Sequence, residues 1–339
     1  MTHTAQRTAA PSTTAAPGSS DDVGALLEQY RRELTGYCYR MLGGAFEADD
    51  AVQETLLRAW RSYDKFEGRS SLRSWLYRIA TNVCFDHLGS SKRRERPMGL
   101  GGPQPAEEQY FGDVLAEDRW LEPVPDDAVL PREGDPADVA VGRESIRLAF
   151  VAALQHLPPK QRAVLILREV LAWKASEVAE LLDLSVASVN SALQRARATL
   201  AEQAPAASDP ANPLDEEQKA LLERYVAAFE GYDMKALTAL LHEDATMSMP
   251  PYDLWLQGHD DIVGWMLGVG EVCSGSKLVP TVANGSPAFA QYHPDPAGGF
   301  APWALIVLEL REGKVAGMDF FLDTERWFPL FDLPARLDA

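Results

Sequence analysis

Cysteine is scarce in this chain of 339 residues: Cys38, Cys84 and Cys273 are the whole set, with no CxxC spacing. So sparse and odd a set argues against a disulfide scaffold or a zinc site and for a reducing compartment. The six histidines, His3, His87, His156, His242, His259 and His293, are scattered and form no HExxH. No GxxxxGK phosphate loop is present. No apolar run reaches the length of a membrane span. The opening "MTHTAQRTAAPSTTAAPGSS" lacks the apolar block of a secretion signal, so residues 1–20 are expected to form a disordered tail. These absences leave a cytoplasmic chain, with no metal, no cofactor and no membrane contact, as the expectation.

Positive charge is also short. The formal net charge is −18, which at first excludes a polyanion as partner. Its distribution removes that objection. Residues 21–96 hold 13 Lys/Arg against 12 Asp/Glu, and residues 141–203 hold 8 against 6. The acid lies elsewhere: 2 against 11 in residues 97–140, and 8 against 21 in residues 204–339. Fields are screened over roughly 8–10 Å at ordinary salt, so a distant acidic domain does not forbid binding by a near-neutral one.

The same divisions follow from patterning. Residues 21–96 and 141–203 read as helical. Residues 97–140 are rich in Pro, Gly and acid and read as a linker, with "RWLEPVPD" as a sticky spot inside it. A short linker, 204–213, precedes a different pattern over 214–335: two helices, then strand-like runs. "WALIVLELREGKVAGMDFFLD" reads as a β-hairpin turning at "REGK".

In residues 174–200, "KASEVAELLDL" is a short amphipathic helix, and Ser185 is a good N-cap for the next. Val186, Val189, Leu193, Ala196 and Leu200 then recur at helical spacing as one buried stripe. Ser188, Asn190, Ser191, Gln194, Arg195 and Arg197 take the opposite face. Short amides, hydroxyls and arginines are the groups that bond base edges and phosphates, and a helix-turn-helix lays such a face in the major groove. Lys160, Arg162, Arg168 and Lys174 are expected near that face.

The stretch "LPPKQRAVLILREVLAWKASEVAELLDLSVASVNSALQRARATL" resembles region 4 of bacterial RNA polymerase sigma factors of the extracytoplasmic-function (ECF) group. The resemblance implies contacts to the −35 promoter element by Asn190, Ser191, Gln194 and Arg195, with Ser188 on the same face. The family often has a basic residue where this chain has Asn190, so its −35 preference is expected to differ.

Upstream, "FEADDAVQETLLRAWRSYDKFEGRSSLRSWLYRIATNVCFDHLGSSKRRER" resembles sigma region 2. By periodicity Ala51, Val52, Leu56 and Trp60 form a packed side, with Asp49, Asp50, Gln53, Glu54 and Arg58 opposite. The resemblance assigns Asp50, Gln53 and Glu54 to the clamp of the polymerase β′ subunit. In the following helix Leu72, Leu76, Ile79 and Val83 form the core stripe. Trp75, Arg78 and Asn82 lie along its margin. Stacking a base on an aromatic is worth roughly 1–3 kcal/mol, comparable to the few kcal/mol that extruding one costs. Such a margin can therefore hold a melted strand, and the resemblance implies that Trp75 and Asn82, with the preceding loop, hold the −10 element. Lys92, Arg93, Arg94 and Arg96 are expected to meet phosphates.

The C-terminal third resembles an NTF2-like domain of the SnoaL kind, in which helices cover a curved sheet around a cone. His242, Asp244, Tyr252, Trp255, Trp265 and Asp319 are candidates to line a ligand pocket there. No residue pair forms a catalytic signature, so no catalytic residues and no enzyme are expected. A regulatory role, through a small ligand or in place of an anti-sigma partner, is expected instead. The fold class is thus multidomain: two all-α modules, the second a helix-turn-helix, followed by an α+β cone. The implied function is promoter recognition and melting with core RNA polymerase. The alternative is a SnoaL-like isomerase or cyclase fused to a DNA-binding regulator.

Overall fold

The computed structural model describes residues 20–90, 94–99, 101–106, 114–116, 119–131, 135–202 and 214–338. The first module holds α1 (Ser20–Glu28), α2 (Arg31–Leu42), α3 (Ala45–Ser62) and α4 (Leu72–Ser90). Gly43 ends α2 in the left-handed conformation at φ +78, and a Cβ there would meet Leu121 at 2.7 Å. Only glycine satisfies both conditions. Ser71 caps α4, its Oγ accepting from Ser74 N at 3.0 Å.

The connector carries α5 (Asp126–Val129) and α6 (Pro136–Glu144), so helix α6 runs across residue 140. Then come α7 (Leu148–Gln155), α8 (Pro159–Leu165), α9 (Ala175–Leu182) and α10 (Val186–Glu202). Pro159 sits at the start of α8, where its missing N–H costs nothing. Asp183, at φ +54, makes the turn between α9 and α10. Ser185 caps α10, accepting from Ser188 N at 3.1 Å.

The C-terminal domain opens with α11 (Glu216–Glu230), held by a capping box between Asp215 and Gln218, and α12 (Met234–Leu240). Next are β1 (Leu241–Ser248), β2 (Trp255–Gln257) and α13 (His259–Leu267). Then follow β3 (Lys277–Ala283), β4 (Ser286–Pro294), β5 (Phe300–Arg311), β6 (Lys314–Phe321) and α14 (Thr324–Leu330). The sheet order is β2-β1-β6-β5-β4-β3, with β1 and β6 parallel and the other pairs antiparallel. The β5–β6 hairpin turns at Glu312 and Gly313, both at positive φ, as the read hairpin requires.

The sheet has two buried faces. Phe289, Ile306, Leu308, Met318 and Phe320 meet Tyr225, Phe229, Leu237, Trp265 and Met266 of the covering helices. On the other face Ala288, Ala290, Tyr292, Leu305, Val307 and Phe321 join one core with the helical modules. Trp120 of the connector is 1% exposed and lies 5.9 Å from Phe321 and 5.6 Å from Trp327, ring to ring. The sticky spot is therefore a wedge, and these connector residues pack instead of hanging free. Burial outweighs their Pro-rich composition: Trp120, Leu121, Val124, Val129 and Leu130 all enter that core.

The two helical modules also touch. Tyr77 of α4 packs on Trp173 at 5.0 Å, and the Arg73 guanidinium lies 5.2 Å over both rings. Arg162 is buried and donates to Met41 O of α2, to Gln155 O at 3.0 Å and to Leu157 O at 3.1 Å. It is thus a structural link between modules, correcting the expectation that it serves the DNA face. Arg168 likewise turns inward, donating to Trp173 O.

Candidate nucleic-acid interface

On α10 the residues Ser188, Asn190, Ser191, Gln194 and Arg195 are all exposed, while Val189, Leu193 and Ala196 are buried. Arg197 pairs with Glu169 at 2.6 Å. Val186 departs from the expected stripe: it is 44% exposed, because the helix starts at that residue and only later turns meet α8 and α9. Lys160 and Lys174 are exposed. The helix therefore presents one polar, cation-bearing face of about four turns to solvent.

On α3, Asp50 and Gln53 are exposed and Glu54 is half-buried. Gln53 Nε2 donates to Asp49 at 2.8 Å, and Arg58 Nε donates to Glu54 at 3.0 Å. Trp60 is not on the packed side. It is 49% exposed, with Leu57 at 53%. At 100° per residue Asp50, Gln53, Leu57 and Trp60 fall in one arc, while Ala51, Val52, Thr55 and Ala59 meet the other helices. Sequence reading missed Leu57 and misplaced Trp60. The signal was an apolar residue recurring on the acidic face.

On α4, Trp75 is half-buried against Phe66 at 5.0 Å and Tyr63 at 6.5 Å, and Asn82 is exposed. Arg78 is engaged: its Nη2 donates to Glu180 O of α9 at 2.7 Å. Lys92 and Arg93 lie outside the described residues. Arg94 is buried, donates to Trp120 O at 2.8 Å and pairs with Glu47 at 3.2 Å. Arg96 pairs with Asp319 at 3.2 Å and Glu309 at 3.4 Å. Both are corrections: Arg94 and Arg96 feed an internal charge network. Glu122 completes that network, accepting from Arg326 at 3.1 Å. Burial pushes the Glu122 carboxyl up, against the pull of Arg94 and Arg326.

The six residues proposed for one pocket are not brought together. His242 and Asp244 lie at the outer start of β1, where His242 contacts Arg311 at 2.9 Å and Asp244 is exposed. Tyr252 bridges to Val114, and Trp255 Nε1 donates to Gly101 O at 3.1 Å, so connector residues run along the β2 edge. Trp265 belongs to the core under the helices. Asp319 is on the opposite face, accepting from Ser248 Oγ at 2.5 Å. Strand alternation separates Asp319 from Met318 and Phe320. Aromatic side chains occupy the space between helices and sheet: Tyr225 stacks on Phe289 at 5.8 Å, and Phe229 on Phe320 at 6.4 Å.

On the same side of β4 as Phe289, His293 stacks on Trp303 at 3.8 Å and contacts Gln291 Nε2 at 3.2 Å. Burial pulls its pKa down to about 4. The unfolded chain, with a histidine near 6.5, takes up this proton first. This stability is therefore complete above about pH 6.5 and is lost as pH falls towards 4. Thermal melts between pH 7 and 4 should show that loss, and His293→Gln should flatten the profile over the same window.

Among the described residues no group of three His, Cys, Asp or Glu could hold a metal ion, and no helix is long and apolar enough to cross a membrane.

Three family models match the chain: "Sigma-70 region 2" over residues 26–94, "Sigma-70, region 4" over 147–200, and "SnoaL-like domain" over 222–318. The ECF RNA polymerase sigma factor SigG of Mycobacterium tuberculosis is 47% identical over 325 residues, covering 93% of this chain and 85% of that one. ECF sigma factor SigW of Bacillus subtilis is 28% identical over 189 residues, covering 55% and 90%. The crystal structure of the M. tuberculosis ECF sigma factor SigJ superposes with a TM-score of 0.58 at 23% identity, covering 91% of this chain and 99% of that chain. That likeness includes the fold of the C-terminal domain.

Proposed function

The chain belongs to the ECF RNA polymerase sigma factors, and from that premise we propose how its surfaces divide the work of initiation. The α3 arc of Asp50, Gln53, Glu54, Leu57 and Trp60 docks on the polymerase clamp. Trp75 and Asn82, joined by Arg78 once it is released from Glu180, hold the −10 strand. The α10 face of Ser188, Asn190, Ser191, Gln194 and Arg195 reads the −35 element. The observation that carries this reading is the pairing, on one chain, of a capped and exposed polar helix with an exposed acidic and apolar arc. A reading helix alone fits any repressor. The arc supplies a protein-docking face, with aromatic and aliphatic anchors inside a polar rim.

The closed arrangement is not the one that occupies a promoter. Elements centred near −35 and −10 lie about 25 base pairs apart, roughly 85 Å at 3.4 Å per pair. Here α4 and α9 are in hydrogen-bond contact through Arg78 and Glu180. The modules must separate before both elements are filled. The C-terminal domain, which shares a core with both modules and with the connector, therefore regulates the opening step.

Footprinting of the assembled polymerase on a promoter pool tests the assignment. Protection at −35 should require α10, and Arg195→Ala should cost roughly 1–3 kcal/mol there, relaxing the preference at one base position. The −10 contacts should remain.

A further inference from the structure

The β3–β4 turn reads Ala283-Asn284-Gly285-Ser286, an ordinary hairpin sequence. Hairpin tips normally face water. This one does not: Asn284 is 0% exposed. Its side chain Nδ2 donates to Tyr39 OH of α2 at 2.6 Å and to Ile146 O, just before α7, at 2.8 Å. Its Oδ1 accepts from Val124 N of the connector at 2.9 Å, and its own backbone N donates to Val124 O at 3.0 Å. The amide cannot be turned over, because Val124 N–H only donates and Ile146 C=O only accepts. Tyr39 OH extends the chain by donating to Glu122 O at 2.8 Å. Gly285, at φ +68, donates to Asp126 Oδ1 at 2.7 Å, and a Cβ on it would meet Arg143 O at 2.7 Å. One side chain thus bonds the first module, the connector and the entry to the second module.

We infer that Asn284 is a positioning residue for promoter recognition: the β3–β4 turn is a latch that holds the two DNA-reading modules and their connector closed until core polymerase draws the connector away. The inference rests on the sigma-factor reading above and names the device that regulates it. The latch suits that task because its bonds are directional and go to segments that part on opening. An apolar contact of the same size would tolerate sliding. These bonds are either all made or lost together.

The test uses the full chain with Asn284→Gly, which keeps the left-handed backbone at φ +55 and removes only the amide. Tyr39→Phe removes a partner from the other side while keeping the ring. Dyes on cysteines placed at the exposed positions Glu67 and Glu202 report the separation of the modules, since the three native cysteines are buried. Losing three side-chain hydrogen bonds should raise the open population roughly 10- to 100-fold. The dye distance should lengthen. Affinity for core polymerase should rise about tenfold or more, a gain that simple destabilisation does not produce. Tyr39→Phe should act in the same direction, and the double variant should add less than the sum of the two. Unchanged dye distance with unchanged or weaker core binding in both variants overturns the latch. If Asn284→Gly unfolds the sheet, Tyr39→Phe alone decides by the same two readouts. If neither wild type nor variants bind core polymerase, the sigma-factor assignment of surfaces falls, and the dye distance still decides for or against the latch.

Discussion

Trp120→Ala should release the C-terminal domain from the helical modules and split one cooperative unfolding transition into two. Trp120 is a connector residue, yet with Trp327 it is one of the largest fully buried side chains, set where the connector meets the first module and the C-terminal domain. Its ring meets Phe321 and Trp327 of the C-terminal domain, and its carbonyl accepts from Arg94 of the first module. Truncating a buried tryptophan costs about 3–5 kcal/mol, from lost transfer energy and the cavity left behind. The loss falls on the contact between parts, because each part keeps its own core: Leu34, Leu76 and Val83 in the first module, Phe229, Ile306 and Phe320 under the helices of the C-terminal domain. Calorimetry checks this. Two separated transitions, the first lowered by 10 °C or so, are expected on the scaling of about 2–4 °C per kcal/mol for a chain of this size. A single transition shifted as a block would mean that Trp120 stabilises one part alone.

Leu57→Asp with Trp60→Asp should abolish docking on core polymerase while leaving the fold intact. Both side chains are about half exposed and lie beside Asp50 and Gln53. Surface changes away from caps and cores alter stability by about 0.5 kcal/mol or less. An apolar anchor at the centre of an interface carries 2 kcal/mol or more, so losing two and introducing buried charge should weaken binding by at least 100-fold. Quantitative pull-down with purified core enzyme checks it, beside a melt of the free variant. Asp50→Ala alone, at the rim of the arc, should weaken binding far less.

The α10 stripe was legible because a helix buried on one side writes its period into the sequence. Val189, Leu193 and Ala196 follow it, and the polar face follows by exclusion. Val186 breaks the rule since no neighbour covers the first turn. Periodicity says which residues share a face and not whether another helix covers that face, and this is why Trp60 was placed inward. Sequence places Arg94 and Arg96 on phosphates because their carboxylate partners are remote along the chain: Glu47 and Glu122 for Arg94, Glu309 and Asp319 for Arg96. The place of Asp319 on the far face of the sheet was legible, since alternation in "MDFF" sets it opposite Met318 and Phe320. The turn at Asn284 could be read from Asn-Gly, but the three segments it joins are 138 to 245 residues away, beyond any local pattern.

The acidic balance of the chain fits this arrangement. The near-neutral modules carry the faces proposed to read DNA, and the acidic connector and C-terminal domain neutralise Arg94 and Arg96 internally. A free chain with Arg94 and Arg96 so engaged is expected to bind DNA more weakly than one with both on phosphates, because counterion release needs cations there. Core polymerase then decides where the chain acts.

The most direct measurement is runoff transcription by purified core RNA polymerase on a promoter pool, with and without this chain. Discrete start sites that appear only when the chain is added, and disappear with Leu57→Asp/Trp60→Asp, are the expected result. Core polymerase that never initiates from any template in its presence, although the folded chain is in excess, would contradict the account.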